Sequence, residues 1–234
     1  MSKNKNKLNV IIVIQGEILV ASKKSFAEAD VISEIIRLCD EKVYLPSDDT
    51  FILSNFLKRF LGSIKVRNSL EIGCGSGFIG CVICRDVDYL VLTDIDLGSA
   101  ECSHKITEFC GCKNIIDVVV CRSGECFREN SFDLVYSNPP YLPCSDDPKW
   151  CGGSDGVSVA LAILRNLRGI MKKHGVALIL LSTLGDLRKF LAEAHENGYK
   201  IKVVDKLRKF FETLMVIMIM RRDEQHKHHS GWSW

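Results

Sequence analysis

The residues with the clearest chemical potential are Asn138, Pro139, Pro140 and Tyr141. They end an apolar run over 131–137 that has strand character. Two prolines in a row cannot continue a sheet, so the strand stops there. What remains is a rigid corner at a strand's carboxyl edge, where ligands bind in open α/β sheets. The side-chain oxygen of Asn138 and the carbonyl of Pro139 are both hydrogen-bond acceptors. Side by side they suit a planar NH2 group, one N–H to each. The Tyr141 ring offers a flat face to a planar amide or base. The bland alternative is a strand closed by a proline turn, and the segment upstream argues against it.

That segment is Leu70-Glu71-Ile72-Gly73-Cys74-Gly75-Ser76-Gly77. Gly73, Gly75 and Gly77 alternate directly after a strand and before a helix, and glycine permits both a tight turn and close approach of a ligand. The spacing is Gly-x-Gly-x-Gly, whereas the dinucleotide fingerprint is Gly-x-Gly-x-x-Gly with a pyrophosphate at the helix start. Glu71 stands beside the loop, where a carboxylate repels phosphate and attracts a cation. S-adenosylmethionine, with its ammonium and sulfonium charges, fits this better than NAD. Asp94 ends the next strand, and an acid there accepts both ribose hydroxyls in dinucleotide folds. The competing role for Asp94 or Asp96 is a helix cap.

These residues need a parallel sheet to bring them together. From residue 67 strands and helices alternate, which implies one. The sequence predicts strands at 69–72, 89–93, 115–121, 132–137, 176–181, 200–205 and 213–220. Helices are expected after Gly77 and over 97–109, 157–173 and 184–197, with Gly198 as the stop signal of the last. A short connection makes the final strand antiparallel. Before the sheet, Ser47 is a suitable cap for a helix running to about residue 61. Residues 1–40 read as an appendage of basic tip, hairpin (Val10–Ile14 turning into 18–21) and a helix over 26–38. Residues 41–220 form the main domain. Residues 221–234 are a polar, His-rich tail that reads as disordered, and its His226, His228 and His229 are more simply solvated than metal-bound. A long polar loop with Trp150 spans 142–155.

Bulk properties are those of an ordinary globular chain of 234 residues: 47% hydrophobic, 26% charged, net charge +2. Nothing in that charge demands a polyanionic partner. No apolar run reaches the ~18 residues of a membrane span. Lys3, Lys5 and Lys7 before an apolar run imitate a signal peptide, but Gln15-Gly16-Glu17 interrupts it and no clean cleavage site follows. The eleven cysteines, including Cys39, Cys81, Cys84 and Cys121 inside apolar runs, read as reduced thiols of a cytoplasmic protein. Cys81 and Cys84 lack a second pair of matching spacing, and Cys102, His104, Cys110 and Cys112 cluster only loosely, so no metal site is expected.

Together the motifs resemble the class I methyltransferases of the HemK type, the release-factor glutamine methyltransferases, and among them the short archaeal and eukaryotic branch. The resemblance covers about 43–220. Tyr44-x-Pro46-x-x-Asp49-Thr50 is similar to that branch's opening motif, which closes over the cofactor and brings in Thr50. Leu70 to Gly77 is similar to the cofactor loop, Thr93-Asp94-Ile95-Asp96 to the ribose motif, and Asn138 to Tyr141 to the substrate motif. Gly152-Gly153-Ser154-Asp155-Gly156 and Lys209-Phe210-Phe211-Glu212-Thr213-Leu214 resemble a following turn and a late hairpin. Leu45 stands where the family usually has Glu, and Asp96 where it often has Asn. Ser123 falls where the family usually has an Asp near the adenine, and serine can still accept a hydrogen bond.

The resemblance implies an α/β fold: a Rossmann-like class I methyltransferase sheet of seven strands, the last antiparallel, with helices on both faces. It implies S-adenosylmethionine as cofactor and the glutamine of a Gly-Gly-Gln motif in a peptide-chain release factor as substrate. A small zinc-binding activator protein is the implied partner. The corner also fits the exocyclic NH2 of a flipped nucleic-acid base, though a core of about 180 residues leaves no room for a separate target-recognition domain. A third reading is a non-catalytic S-adenosylmethionine-binding scaffold.

Overall fold

The computed structural model describes residues 10–14, 17–21, 27–112 and 114–222. The basic tip and the His-rich segment from residue 223 on lie outside the described residues.

Seven strands form the main sheet: β3 (Val66–Ile72), β4 (Val87–Asp94), β5 (Ile116–Val120), β6 (Phe132–Ser137), β7 (Met171–Ser182), β8 (Tyr199–Arg208) and β9 (Thr213–Arg221). Their order is β5-β4-β3-β6-β7-β9-β8. The first five run parallel, and β9 is antiparallel to both β7 and β8. The expected sheet, with its last strand reversed, is the one found. A separate antiparallel pair, β1 (Val10–Ile14) and β2 (Glu17–Ala21), forms the expected hairpin.

The strands in the middle of the sheet are buried on both sides, so they read as near-continuous apolar runs. Alternate residues of β7 divide cleanly. Val176, Leu178 and Leu180 enter one core, and Ala177, Ile179 and Leu181 the other. On the first side pack α1 (Glu28–Leu38), α2 (Asp48–Leu61), α3 (Phe78–Ile83) and α4 (Leu97–Phe109). On the second pack α5 (Ser158–Ile170) and α6 (Leu187–Glu196). The helix of the expected appendage joins the first core, for Val31 and Ile35 of α1 are fully buried there and α1 rests on α4.

Several element boundaries differ from the sequence reading, among them the ends of α5 and β8. The expected helix over 157–173 stops at Ile170, and β7 starts at once with Met171. Lys172, Lys173 and His174 look like a polar helix end, but Met171 pairs with Phe132 and Lys172 Nζ binds the Asp133 carboxylate at 2.9 and 3.0 Å. The strand at the sheet's edge, β8, also runs further than expected, to Arg208. It has one neighbour, so its outer side tolerates charge.

The cysteines depart from expectation most. Ten of the eleven form disulfides: Cys39–Cys102, Cys81–Cys110, Cys84–Cys112, Cys121–Cys126 and Cys144–Cys151. Cys74 alone is a free thiol, and it is buried. The reading as eleven reduced thiols is therefore corrected. Cys81 and Cys84 do not act as a pair, because each is joined to a cysteine beyond the end of α4. No helix among the described residues is long and apolar enough to cross a membrane.

Candidate active site

The strand order reverses between β3 and β6, and a crevice opens there at the carboxyl edge of the sheet. The loops after β3, β4, β5 and β6 meet in it around a cavity of about 870 Å³. Asn138, Pro139, Pro140 and Tyr141 line it, with Glu71, Gly73, Gly75, Asp94, Ser123 and Thr50. Of the cofactor and substrate residues expected from the sequence, Gly77 is the exception: it does not line the cavity. Its φ of +76° starts α3, and a methyl group there would come within 2.9 Å of the Ser103 backbone. Gly77 lets α3 lie close to α4 and shapes the loop from behind.

Gly73 and Gly75 also adopt left-handed backbone, with φ of +74° and +52°. Around Gly73 there is open space for a side chain, so the backbone angle and not crowding demands glycine there. The N–H groups of Gly73 and Cys74 both donate to the Thr93 carbonyl, at 2.8 and 2.9 Å, which ties the loop to the end of β4. Asp94 completes the join. Its Oδ2 accepts from Gly75 N–H at 2.9 Å and its Oδ1 from Asp96 N–H at 3.0 Å. Asp96, not Asp94, caps α4, accepting from Ser99 N–H at 2.7 Å. Asp94 therefore keeps lone pairs for a ligand in the cavity. Burial pushes its pKa up, against the pull of the backbone donors.

Glu71 is wholly buried beneath the loop. It lies opposite Tyr136 in the parallel register of β3 and β6, and the Tyr136 hydroxyl donates to its Oε2 at 3.0 Å. Desolvation raises its pKa to about 8, partly offset by that hydrogen bond. A cation entering the cavity would favour the charged form. The donor set thus fits S-adenosylmethionine: an acid for its positive end, a glycine turn open to close approach, and Asp94 for ribose hydroxyls. Ser123 also lines the cavity, in left-handed backbone with φ of +47°.

The corner after β6 is built from below. Ser137 Oγ donates to the Ile72 carbonyl at 2.6 Å, which locks the last residue of β6 to the last of β3. Beneath the prolines runs the turn 152–156. A methyl group on Gly152 would come within 2.6 Å of the carbonyl oxygens of Pro140 and Gly156, and one on Gly156 within 2.6 Å of the Tyr141 carbonyl. Asp155 holds this turn, accepting from Val157 N–H and Ser158 Oγ and pairing with Lys189 at 2.7 Å. That set keeps its carboxyl well below the usual range.

Asn138 is half-buried, but its Oδ1 is fully buried and has no hydrogen-bond partner. Two other buried side-chain atoms among the described residues share that condition, Ser69 Oγ and Arg221 Nε. Neither residue lines the cavity. Tyr141 is half-buried, and its hydroxyl donates to Asp49 at 3.2 Å. Tyr44 closes the same side, edge-on to Trp150 with ring centres 4.8 Å apart. Asp49, Tyr44 and Trp150 are site residues that the sequence offered only as parts of a motif or a loop.

Residues 48–210 match the methyltransferase small domain family, and the chain belongs to it. It is a methyltransferase that uses S-adenosylmethionine. Among curated proteins it is similar to a candidate protein N5-glutamine methyltransferase of Methanocaldococcus jannaschii, at 29% identity over 77% of this chain and 92% of the other. It is also similar to the eRF1 methyltransferase catalytic subunit mtq2 of Schizosaccharomyces pombe, at 26% identity over 77% of this chain and 90% of the other. Among solved structures it shares the fold of the E. cuniculi Mtq2–Trm112 complex, whose stated role is methylation of the termination factor eRF1. That match has a TM-score of 0.64 and 23% identity, over 77% of this chain and 99% of the other.

Proposed function

We propose that this chain transfers a methyl group to the side-chain nitrogen, N5, of the glutamine in a Gly-Gly-Gln motif of a peptide-chain release factor. The observation that carries the reading is the buried, unpartnered Oδ1 of Asn138 at the cavity wall. Buried polar atoms are nearly always paired, so an acceptor left open there calls for a donor from a ligand. A glutamine side-chain amide supplies one. The names of the two curated relatives favour glutamine over a base amino group.

S-adenosylmethionine supplies an electrophilic methyl group on a sulfonium. The chain's own task is to make an amide nitrogen attack, which is difficult because the lone pair is delocalised. Asn138 Oδ1 and the Pro139 carbonyl hold the two N–H bonds, Pro140 keeps the corner rigid, and Tyr141 packs on the amide plane. Positive charge grows on the nitrogen during transfer, so both acceptors bind it more tightly in the transition state than before it. No general base is needed beforehand, since the N-methylated product cation is acidic and gives up its extra proton to water after transfer. Positioning supplies much of the rate. Thr50, Glu71, Gly73, Gly75, Asp94 and Ser123 hold the cofactor, with Gly77 shaping the loop. The likeness to a complex with Trm112 favours a small activator partner, zinc-binding as the family resemblance implies, and action in the cytoplasm where release factors work.

Asn138→Ala leaves the prolines in place and deletes one acceptor. Single-turnover kinetics at saturating cofactor should show a loss of ~10²–10³ in the transfer step, as for one preorganised donor in acyl transfer. Cofactor affinity should change by less than about tenfold, or ~1.4 kcal/mol. Asn138→Asp should also be poor, because it adds a charge that must be desolvated. Equal transfer rates in wild type and Asn138→Ala would contradict this role.

A further inference from the structure

Asp49 is the most heavily bonded carboxylate at the cavity, and it is 4% exposed. Its two oxygens accept from the Tyr44 hydroxyl at 2.7 and 2.6 Å, from Thr50 N–H at 2.6 Å, from Thr50 Oγ1 at 3.1 Å and from the Tyr141 hydroxyl at 3.2 Å. Burying a carboxylate is costly unless it is bonded in this way. The simplest role for an acid at this position is to favour the start of α2. That role is already served by Ser47, whose N–H donates to Thr50 Oγ1, and by Asp48. Asp49 accepts from the Thr50 N–H of that first turn and, beyond that role, turns toward two tyrosine hydroxyls, one of them 92 residues away in the chain.

Those tyrosines belong to different halves of the site. The Tyr44 Cβ lies 3.8 Å from where a side chain on Gly75 would begin, so Tyr44 covers the glycine loop. Tyr141 belongs to the acceptor corner, and Trp150 meets Tyr44 edge-on while its carbonyl accepts from the N–H of Leu142, next to Tyr141, at 2.9 Å. We infer that Asp49 is a positioning residue that carries occupancy of the cofactor loop, through Tyr44 and Thr50, to Tyr141 and the loop behind it. When the loop by Gly75 is filled and Tyr44 is held, Asp49 is held, and with it the ring on which the acceptor packs. A site with this link binds acceptor well only after cofactor. The inference rests on the proposed function only in taking the Tyr141 side as the acceptor's.

The test is amide hydrogen exchange on the full chain with and without S-adenosylhomocysteine, in wild type, Asp49→Asn and Tyr141→Phe. In wild type the ligand should slow exchange at 70–77 and also at 141–151. In both variants protection should persist at 70–77 and fall to the ligand-free level at Tyr141 and Leu142, the first amides after the two prolines. If Asp49→Asn does not fold, Tyr141→Phe still reports, because it cuts the same link at its exposed end. In activity, both variants should raise the KM for release factor about fivefold, the lower end of coupling between linked sites, with kcat less affected. Unchanged protection at Tyr141 and Leu142 in the variants, or none in wild type, overturns the inference. A wild type that shows the protection but methylates no release factor would instead overturn the proposed substrate and leave the link standing.

Discussion

At the scale of single residues, Asp94 has the best-defined task. Two backbone N–H groups, from Gly75 and Asp96, fix its carboxylate at the cavity edge. A cofactor ribose would add two charge-assisted bonds, each worth ~1.5–3 kcal/mol. Asp94→Ala should lower affinity for S-adenosylhomocysteine by at least about tenfold, or ~1.4 kcal/mol, which is less than one such bond's worth. Calorimetry that finds unchanged affinity would remove Asp94 from the site. Asp94 was legible because it ends the strand after the glycine loop, and Asn138 because it follows a strand directly and precedes two prolines. Asp49 was legible only as a letter in a motif. Its bond to Tyr141 joins residues 92 apart, and no local pattern encodes such a contact. Gly77 was read as a cofactor contact because it completes the Gly-x-Gly-x-Gly spacing. Only the approach of Ser103 from α4 reveals that it faces away.

At the scale of elements, the turn 152–156 is the support on which the corner depends. The atoms that a Gly152 side chain would meet are backbone carbonyls of Pro140 and Gly156 at 2.6 Å, and neither can move aside as a flexible side chain would. Gly152→Ala should therefore displace the corner while leaving the glycine loop after β3 alone. A misplacement of about 1 Å is worth about 10²-fold in rate, so methyl transfer should fall by that order with S-adenosylhomocysteine affinity nearly unchanged. Parallel titration and transfer assays check this, and an unimpaired transfer rate would refute it. The existence of every strand in the main sheet could be read from apolar runs. Their ends could not. Lys172, Lys173 and His174 carry no strand signal of their own. They are drawn into β7 by pairing with β6 and by the Lys172–Asp133 contact, and tertiary context overrides propensity at such places.

At the scale of the whole molecule, the strand order and the cysteine pairing were the least accessible. Alternation of strands and helices implied a parallel sheet, but only the assembled order puts four loops around one cavity. Cysteines in apolar runs looked like small hydrophobes because the partners lie on other elements. Cys39 follows α1 and meets Cys102 on α4, 63 residues on. One bridge fastens the end of α1 to α4, and two more fasten α3 and the turn after it to the residues after α4, all on one side of the sheet. A bridge across a long loop contributes about 2–4 kcal/mol.

Transfer to an intact acceptor tests the proposed activity most directly. The full chain, with an activator subunit if one co-purifies, is incubated with labelled S-adenosylmethionine and either a release factor or purified rRNA and tRNA. Tandem mass spectrometry then locates the label. One methyl group should appear on the side-chain nitrogen of the Gly-Gly-Gln glutamine, and replacing that glutamine by Asn in the release factor should abolish it. Label retained in the Asn variant, or found in the RNA and absent from the release factor, would contradict the proposal.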